Sequence, residues 1–182
     1  MSLFAMLSYI RQLAIFGSAK KYLDFTQYWP LGFVLLGIFL FFRSDAETWP
    51  LGPIGFWEST FNNGEVLQHR IATLLVFTLG IMELRARFNP NPNATLKYAF
   101  PMLSAFGGLM LLTHSHIGFQ PKSAFLIQVG HTAMGIFALI LACGRWLELK
   151  LDNPGKNIAG FASVAALFIM GLILMFYREP LY

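Results

Sequence analysis

Four histidines are the residues of this chain with the clearest capacity for metal chemistry. An apolar segment ends at His114 and His116, turns, and continues into a second apolar segment that carries His131. The fourth, His69, lies near the start of an earlier apolar segment. Ionisable groups inside a membrane are costly and are usually functional. We therefore predict that two or more of these histidines bind a metal or a cofactor.

Two methionines lie on the same helix faces as two of the histidines. Met110 precedes His114 by four residues, and Met134 follows His131 by three, so each pair shares a face of a helix. Imidazole and thioether together suit copper, and thioether particularly suits Cu(I). The alternative interpretation is that the histidines hydrogen-bond between helices and the methionines fill gaps in the core. The predicted metal ligands are His69, His114, His116, His131 and Met134.

The composition indicates a membrane protein. Hydrophobic residues make up 56% of the 182 residues and charged residues only 12%, against roughly a quarter charged in soluble domains. Several apolar runs approach the ~20 residues that span a hydrocarbon core. Because the basic residues are dispersed along the chain, the net charge of +4 does not indicate nucleic-acid binding. The single cysteine excludes an internal disulfide.

The pattern of apolar runs predicts an all-α polytopic membrane protein with a bundle of about five transmembrane helices. The predicted spans cover residues 27–43, 65–82, 97–116, 123–147 and 157–177. The sequence of residues 1–25 predicts an amphipathic helix in the membrane interface, and residues 26–182 are predicted to form the bundle. Residues 44–64 are rich in Pro, Gly and Trp, which predicts an irregular loop on the membrane surface.

The distribution of Lys and Arg predicts an orientation for this bundle. Nine of these residues fall on the side that includes the N-terminus, and four fall on the opposite side. The positive-inside rule then places the N-terminus in the cytoplasm, with the C-terminus and the 44–64 loop outside. In this predicted topology all four histidines lie in the outer half of the bundle, although they come from three different helices.

Four short motifs carry a family resemblance. They are W-P-L-G-P-x-G-F-W-E at 49–58, L-Q-H-R at 67–70, H-S-H at 114–116 and G-H at 130–131. Together they resemble the copper resistance protein D (CopD) family of bacterial inner-membrane proteins, over roughly residues 29–177. The resemblance implies copper handling at the periplasmic side, by import or by delivery to a membrane cuproenzyme. It also implies His69, His114, His116 and His131 as copper-handling residues, and a periplasmic copper-binding partner.

Two other functions compete with this interpretation, and none of the three is an enzyme. His69 and His131 could be axial ligands of one haem b beside the small residues Gly107, Gly108 and Gly130, in an electron-transfer protein. The chain could instead be a metal-free accessory subunit. Because CopD proteins commonly have more spans than this chain, we expect an oligomer or a larger membrane complex to supply further helices.

Overall fold

The computed structural model describes residues 28–89, 93–113 and 121–176. Within them the chain forms six α-helices, which confirms the all-α class. The helices are α1 (Leu31–Arg43), α2 (Phe56–Asn62), α3 (Gly64–Phe88), α4 (Ala94–Thr113), α5 (Pro121–Lys150) and α6 (Gly155–Phe176). The predicted interfacial helix at 1–25, the turn that carries His114 and His116, and residues 177–182 lie outside the described residues.

Three of these helices are long and apolar enough to cross a membrane: Thr95–Thr113, Phe125–Lys150 and Gly155–Phe176. The prediction of five transmembrane helices is therefore wrong. Helix α1 has 13 residues, fewer than the ~20 that a ~30 Å hydrocarbon core requires. Helix α3 has 25 residues but carries charged side chains near both ends, so its uncharged stretch is much shorter than the helix.

Consecutive long helices pack antiparallel to one another, and glycines allow their backbones to approach closely. The chain thus folds back on itself at each connection that the structure describes. A Cβ built on each of three glycines would lie within about 3 Å of a backbone oxygen of the facing helix. These contacts are Gly80 against Pro30 between α3 and α1, Gly108 against Gly135 between α4 and α5, and Gly144 against Ala159 between α5 and α6.

Two layers of polar residues lie at opposite ends of α3 and α5. His69 and His131 are in the first half of these helices, and Glu83 and Arg145 are near their C-termini. We call the two levels the histidine end and the ion-pair end. The apolar core adjoins the ion-pair end, and its largest side chains pack edge to face, such as Phe100 against Trp29 with ring centroids 5.7 Å apart.

The 44–64 segment folds into two parts. Residues 44–55 are irregular, as predicted, and are closed by a hydrogen bond from the Trp49 N–H to the Ile54 carbonyl, 2.7 Å long. Gly52 is required in this turn because a Cβ there would collide with the backbone of Glu47. The second part departs from the prediction, since Phe56–Asn62 forms helix α2. Its hydroxyls bond to backbone carbonyls of the same turn, as Thr60 does to Phe56 at 2.6 Å.

Candidate functional site

His69 is held by a carboxylate from the 44–64 segment. Its Nδ1 lies 2.9 Å from Oδ1 of Asp45, and both side chains are largely buried, at 16% and 10% exposed. The backbone carbonyl of His69 accepts a hydrogen bond of 2.6 Å from the Thr73 hydroxyl. The irregular loop therefore reaches over the start of α3 and orients this imidazole ring.

Arg70, the next residue, fastens the same loop to α3. Its Nη2 lies 3.3 Å from three acceptors: the Thr48 hydroxyl, the Trp49 carbonyl and the Ser59 hydroxyl. The guanidinium also lies over the ring of Phe56, with 4.1 Å between Cζ and the ring centroid. Because Nη2 carries two hydrogens, its hydrogen bonds are shared among these three acceptors, while the face of the guanidinium stacks on the aromatic ring.

His131 lies on the buried face of α5. It is 7% exposed, and its Nδ1 lies 3.0 Å from the carbonyl oxygen of Ile127, one turn earlier. Met134 is buried on the same face, at 8% exposed. The structure thus places two of the predicted ligands, His131 and Met134, on one inward-facing stripe of α5.

The two described histidines occupy equivalent positions along α3 and α5 relative to the ion pair. Glu83 of α3 and Arg145 of α5 make direct contact at 3.4 Å, and each histidine precedes the ion-pair residue of its own helix by 14 positions (83 − 69 and 145 − 131). Fourteen residues correspond to ~21 Å of helix and to a rotation within ~40° of four full turns. His69 and His131 therefore lie on nearly the same faces of α3 and α5 as the residues that touch at the ion-pair end.

The ion-pair end itself is a compact network of four charged side chains. Oε1 of Glu83, which is 1% exposed, accepts from Arg87 at 2.9 Å and from Arg145 at 3.4 Å. Arg145 also donates to Glu148 at 2.8 Å, and Arg87 lies over the Trp29 ring at 4.9 Å. Each carboxylate has a guanidinium partner, as buried charges require. We assign this network a structural role, since it ties α3 to α5.

The described residues contain part of the predicted metal site. His69, His131 and Met134 are among them, but in residues 28–89, 93–113 and 121–176 no three His, Cys, Asp or Glu side chains group as metal ligands. His114 and His116 lie outside the described residues, although α4, which ends at Thr113, runs toward the histidine end. Gly107 and Gly108 pack against Leu75 and Gly135 of neighbouring helices.

Sequence reasoning missed three residues that shape this site. Asp45 lies 24 positions from His69 and Arg145 lies 62 positions from Glu83, so no local spacing pointed to either contact. The buried Glu83 did have a local signal, because Arg87 follows it by four residues on the same helix face.

Comparisons with known proteins add no relative from which a site could be transferred. No protein-family model, curated protein or solved structure matches the chain. The functional assignment therefore depends on the geometry of the chain's own residues and on the family resemblance described above.

Proposed function

We propose that this chain is a copper-binding membrane protein that handles copper at the periplasmic side of a bacterial inner membrane, by import or by delivery to a membrane cuproenzyme. His69 and His131 are the ligands that the described residues supply, with Met134 beside them. His114 and His116 complete the proposed set. The observation that carries the proposal is that an oxygen atom faces Nδ1 of both described histidines, at 2.9 and 3.0 Å.

This arrangement selects the tautomer that binds metals through Nε2. A backbone carbonyl can only accept a hydrogen bond, so the Nδ1 of His131 must carry the proton and donate it to Ile127. The carboxylate of Asp45 favours the same tautomer in His69. In neutral imidazole the lone pair then resides on Nε2. Metal-binding histidines almost always donate their other ring N–H to a carboxylate or a carbonyl in this way.

The placement of the ligands supports a binding site rather than a continuous pore. His131 and Met134 lie in the first half of α5, whereas the carboxylates of the ion-pair end are already paired with Arg87 and Arg145. The resemblance to the CopD family adds the choice of copper, the periplasmic side and a periplasmic copper-binding partner. The imidazole and thioether donor set is consistent with that choice.

Copper content of the purified protein tests the proposal. We expect the wild type to bind copper and His131→Ala to lose at least ten-fold in affinity, because the variant lacks one ligand. Cys143→Ala is the matched control, since this exposed thiol is a soft donor on α5 outside the proposed set. It should bind copper as the wild type does. Elemental analysis and a titration with Cu(I) against a competing chelator give both quantities.

The same preparations separate the competing functions. A Soret band in the visible spectrum that is lost in His131→Ala would show that the protein binds haem b and not copper. Haem b has less support, because Gly107 and Gly108 are occupied in helix packing. Equal, negligible copper in the wild type and both variants would leave the metal-free accessory subunit as the remaining function.

A further inference from the structure

The outward face of α2 presents two stacked aromatic rings. The ring centroids of Trp57 and Phe61 lie 5.8 Å apart with an interplanar angle of 5°, and the two residues are 71% and 68% exposed. The opposite face of the same helix buries Ser59 and Thr60. Helix α2 thus turns its polar side chains inward and its largest apolar side chains outward, which is the opposite of the usual arrangement at a protein surface.

This exposure is imposed by contacts on the inner side of α2. The Ser59 hydroxyl lies 3.3 Å from the Arg70 guanidinium, and Phe56 lies beneath that guanidinium. These contacts leave α2 in one rotational setting about its axis. Turning Trp57 and Phe61 inward would break the contacts of Arg70, so the stacked pair is displayed by the fold.

The stacked pair is the end of a continuous row of aromatic contacts that begins on α1. Successive ring centroids along this row are 5.0 to 6.2 Å apart. The row runs through Phe42, Phe41, Trp49, Phe56, Trp57 and Phe61. At its start it joins an exposed apolar face of α1, where Leu35 is 66% and Phe39 is 58% exposed. The apolar surface therefore passes without a break from the bundle wall to α2.

The charges around this surface are mainly acidic, although Arg43 ends α1 and the Arg70 guanidinium lies over Phe41 and Phe56. Between Arg43 and Arg70 the chain contains no Lys or Arg, whereas Glu47 and Glu58 are exposed there. An acidic rim repels anionic lipid headgroups, and the faces of Trp and Phe attract the quaternary ammonium of choline. The surroundings of the stacked pair thus favour zwitterionic headgroups.

We propose that Trp57 and Phe61 insert into the interfacial zone of a zwitterionic lipid leaflet and anchor the histidine end of the bundle there. Trp and other aromatic residues concentrate at this depth because their rings are apolar while the region remains wet at its outer edge. The anchor sets the depth of the loop that carries Asp45. This inference does not depend on copper binding, only on the bundle lying in a membrane.

Site-directed spin labelling in phosphatidylcholine vesicles tests the anchor. In a Cys143→Ala background, a nitroxide at Phe61→Cys should collide more often with oxygen, which concentrates in lipid, than with a water-soluble nickel chelate. We expect the oxygen-to-nickel collision ratio to be several-fold higher at position 61 than at Asn62→Cys. Asn62 is the matched control because it is exposed and adjacent, and ~100° further round the same helix.

A ratio at position 61 equal to that at position 62 would overturn the proposal, because the face would then meet water or a protein partner. Tryptophan fluorescence gives a second readout without labelling. Lipids brominated near the headgroup should quench the wild type, and Trp57→Phe should lose more of that quenching than Trp29→Phe, since Trp29 is 7% exposed. Equal losses in the two variants would also contradict the anchor.

Discussion

Asp45 and Ile127 supply the oxygens that face Nδ1 of His69 and His131, and the two oxygens differ in charge. The carboxylate of Asp45 increases the electron density on the His69 ring more than a neutral carbonyl can, so His69 should be the stronger donor of the pair. The Asp45 contact also depends on the position of a loop, because Asp45 does not belong to the same helix as His69.

Removing the charge of Asp45 should therefore weaken copper binding. We expect Asp45→Asn to lower copper affinity about 10–100-fold, the usual loss when the partner of a metal-binding histidine is changed. Glu47→Gln is the control, since it removes an exposed carboxylate from the same loop. Competition titration with a Cu(I) chelator measures both. Equal affinities in the two variants would mean that Asp45 does not orient a ligand.

Glu83 should be the most costly carboxylate to remove. Glu83→Ala leaves Arg87 without its carboxylate partner and Arg145 with Glu148 alone, and breaking a buried pair in this way costs about 3–5 kcal/mol. Glu58→Ala, which removes an exposed carboxylate on α2, should change stability by less than about 0.5 kcal/mol. Denaturant unfolding in detergent compares them, and similar losses would argue against the network as a tie between α3 and α5.

At the scale of elements, the helices owe their spacing to glycines and their rotation to polar side chains. The crossing of α5 and α6 is closest at Gly144, where an added Cβ would lie 2.8 Å from the Ala159 carbonyl. One turn away, the Ser163 hydroxyl of α6 donates to the Leu141 carbonyl of α5 at 3.2 Å. Such a contact holds only while the two backbones remain close.

A methyl group at Gly144 should force these helices apart. We expect Gly144→Ala to destabilise the protein by about 1–3 kcal/mol, the usual cost of overpacking a tight interior. Gly64→Ala is the matched control, because nothing lies within 4 Å of a Cβ built there, and it should be neutral. Thermal unfolding of both variants in the same detergent is the measurement. A neutral Gly144→Ala would show that the crossing relaxes without loss.

At the scale of the whole molecule, side chains link α3 and α5 at one end. The Glu83–Arg145 contact fixes the ion-pair end. Each histidine lies ~21 Å from the ion-pair residue of its own helix, measured along the helix axis. A metal bound between His69 and His131 would join the second end. Binding should then couple to the stability of the bundle, because an ion that binds only the folded chain stabilises it by mass action.

Copper should accordingly raise the unfolding temperature of the wild type. At a free concentration 100-fold above the dissociation constant, the stabilisation is about 2.7 kcal/mol. His131→Ala at the same copper concentration should show a much smaller shift. Differential scanning fluorimetry with and without a chelator measures it. An equal shift in the two proteins would place the copper elsewhere on the chain.

The sequence alone determined the membrane class and most of the helices. Apolar length and turn residues are local properties, so α4, α5 and α6 coincide with predicted spans. The same local reading overcounted the spans, because it accepted α1, which has only 13 residues, and α3, which carries charged side chains near both ends. It also predicted a set of metal ligands by residue type, namely His69, His114, His116, His131 and Met134.

Only the tertiary structure decided which groups surround them. The Asp45–His69 contact joins positions 24 apart and the Glu83–Arg145 contact joins positions 62 apart. No helical or turn periodicity relates such positions, since both depend on how whole helices pack and on how the 44–55 loop is fastened by Arg70. Those long-range contacts set the orientation of the imidazole ring. That orientation determines the direction in which the lone pair of its Nε2 points.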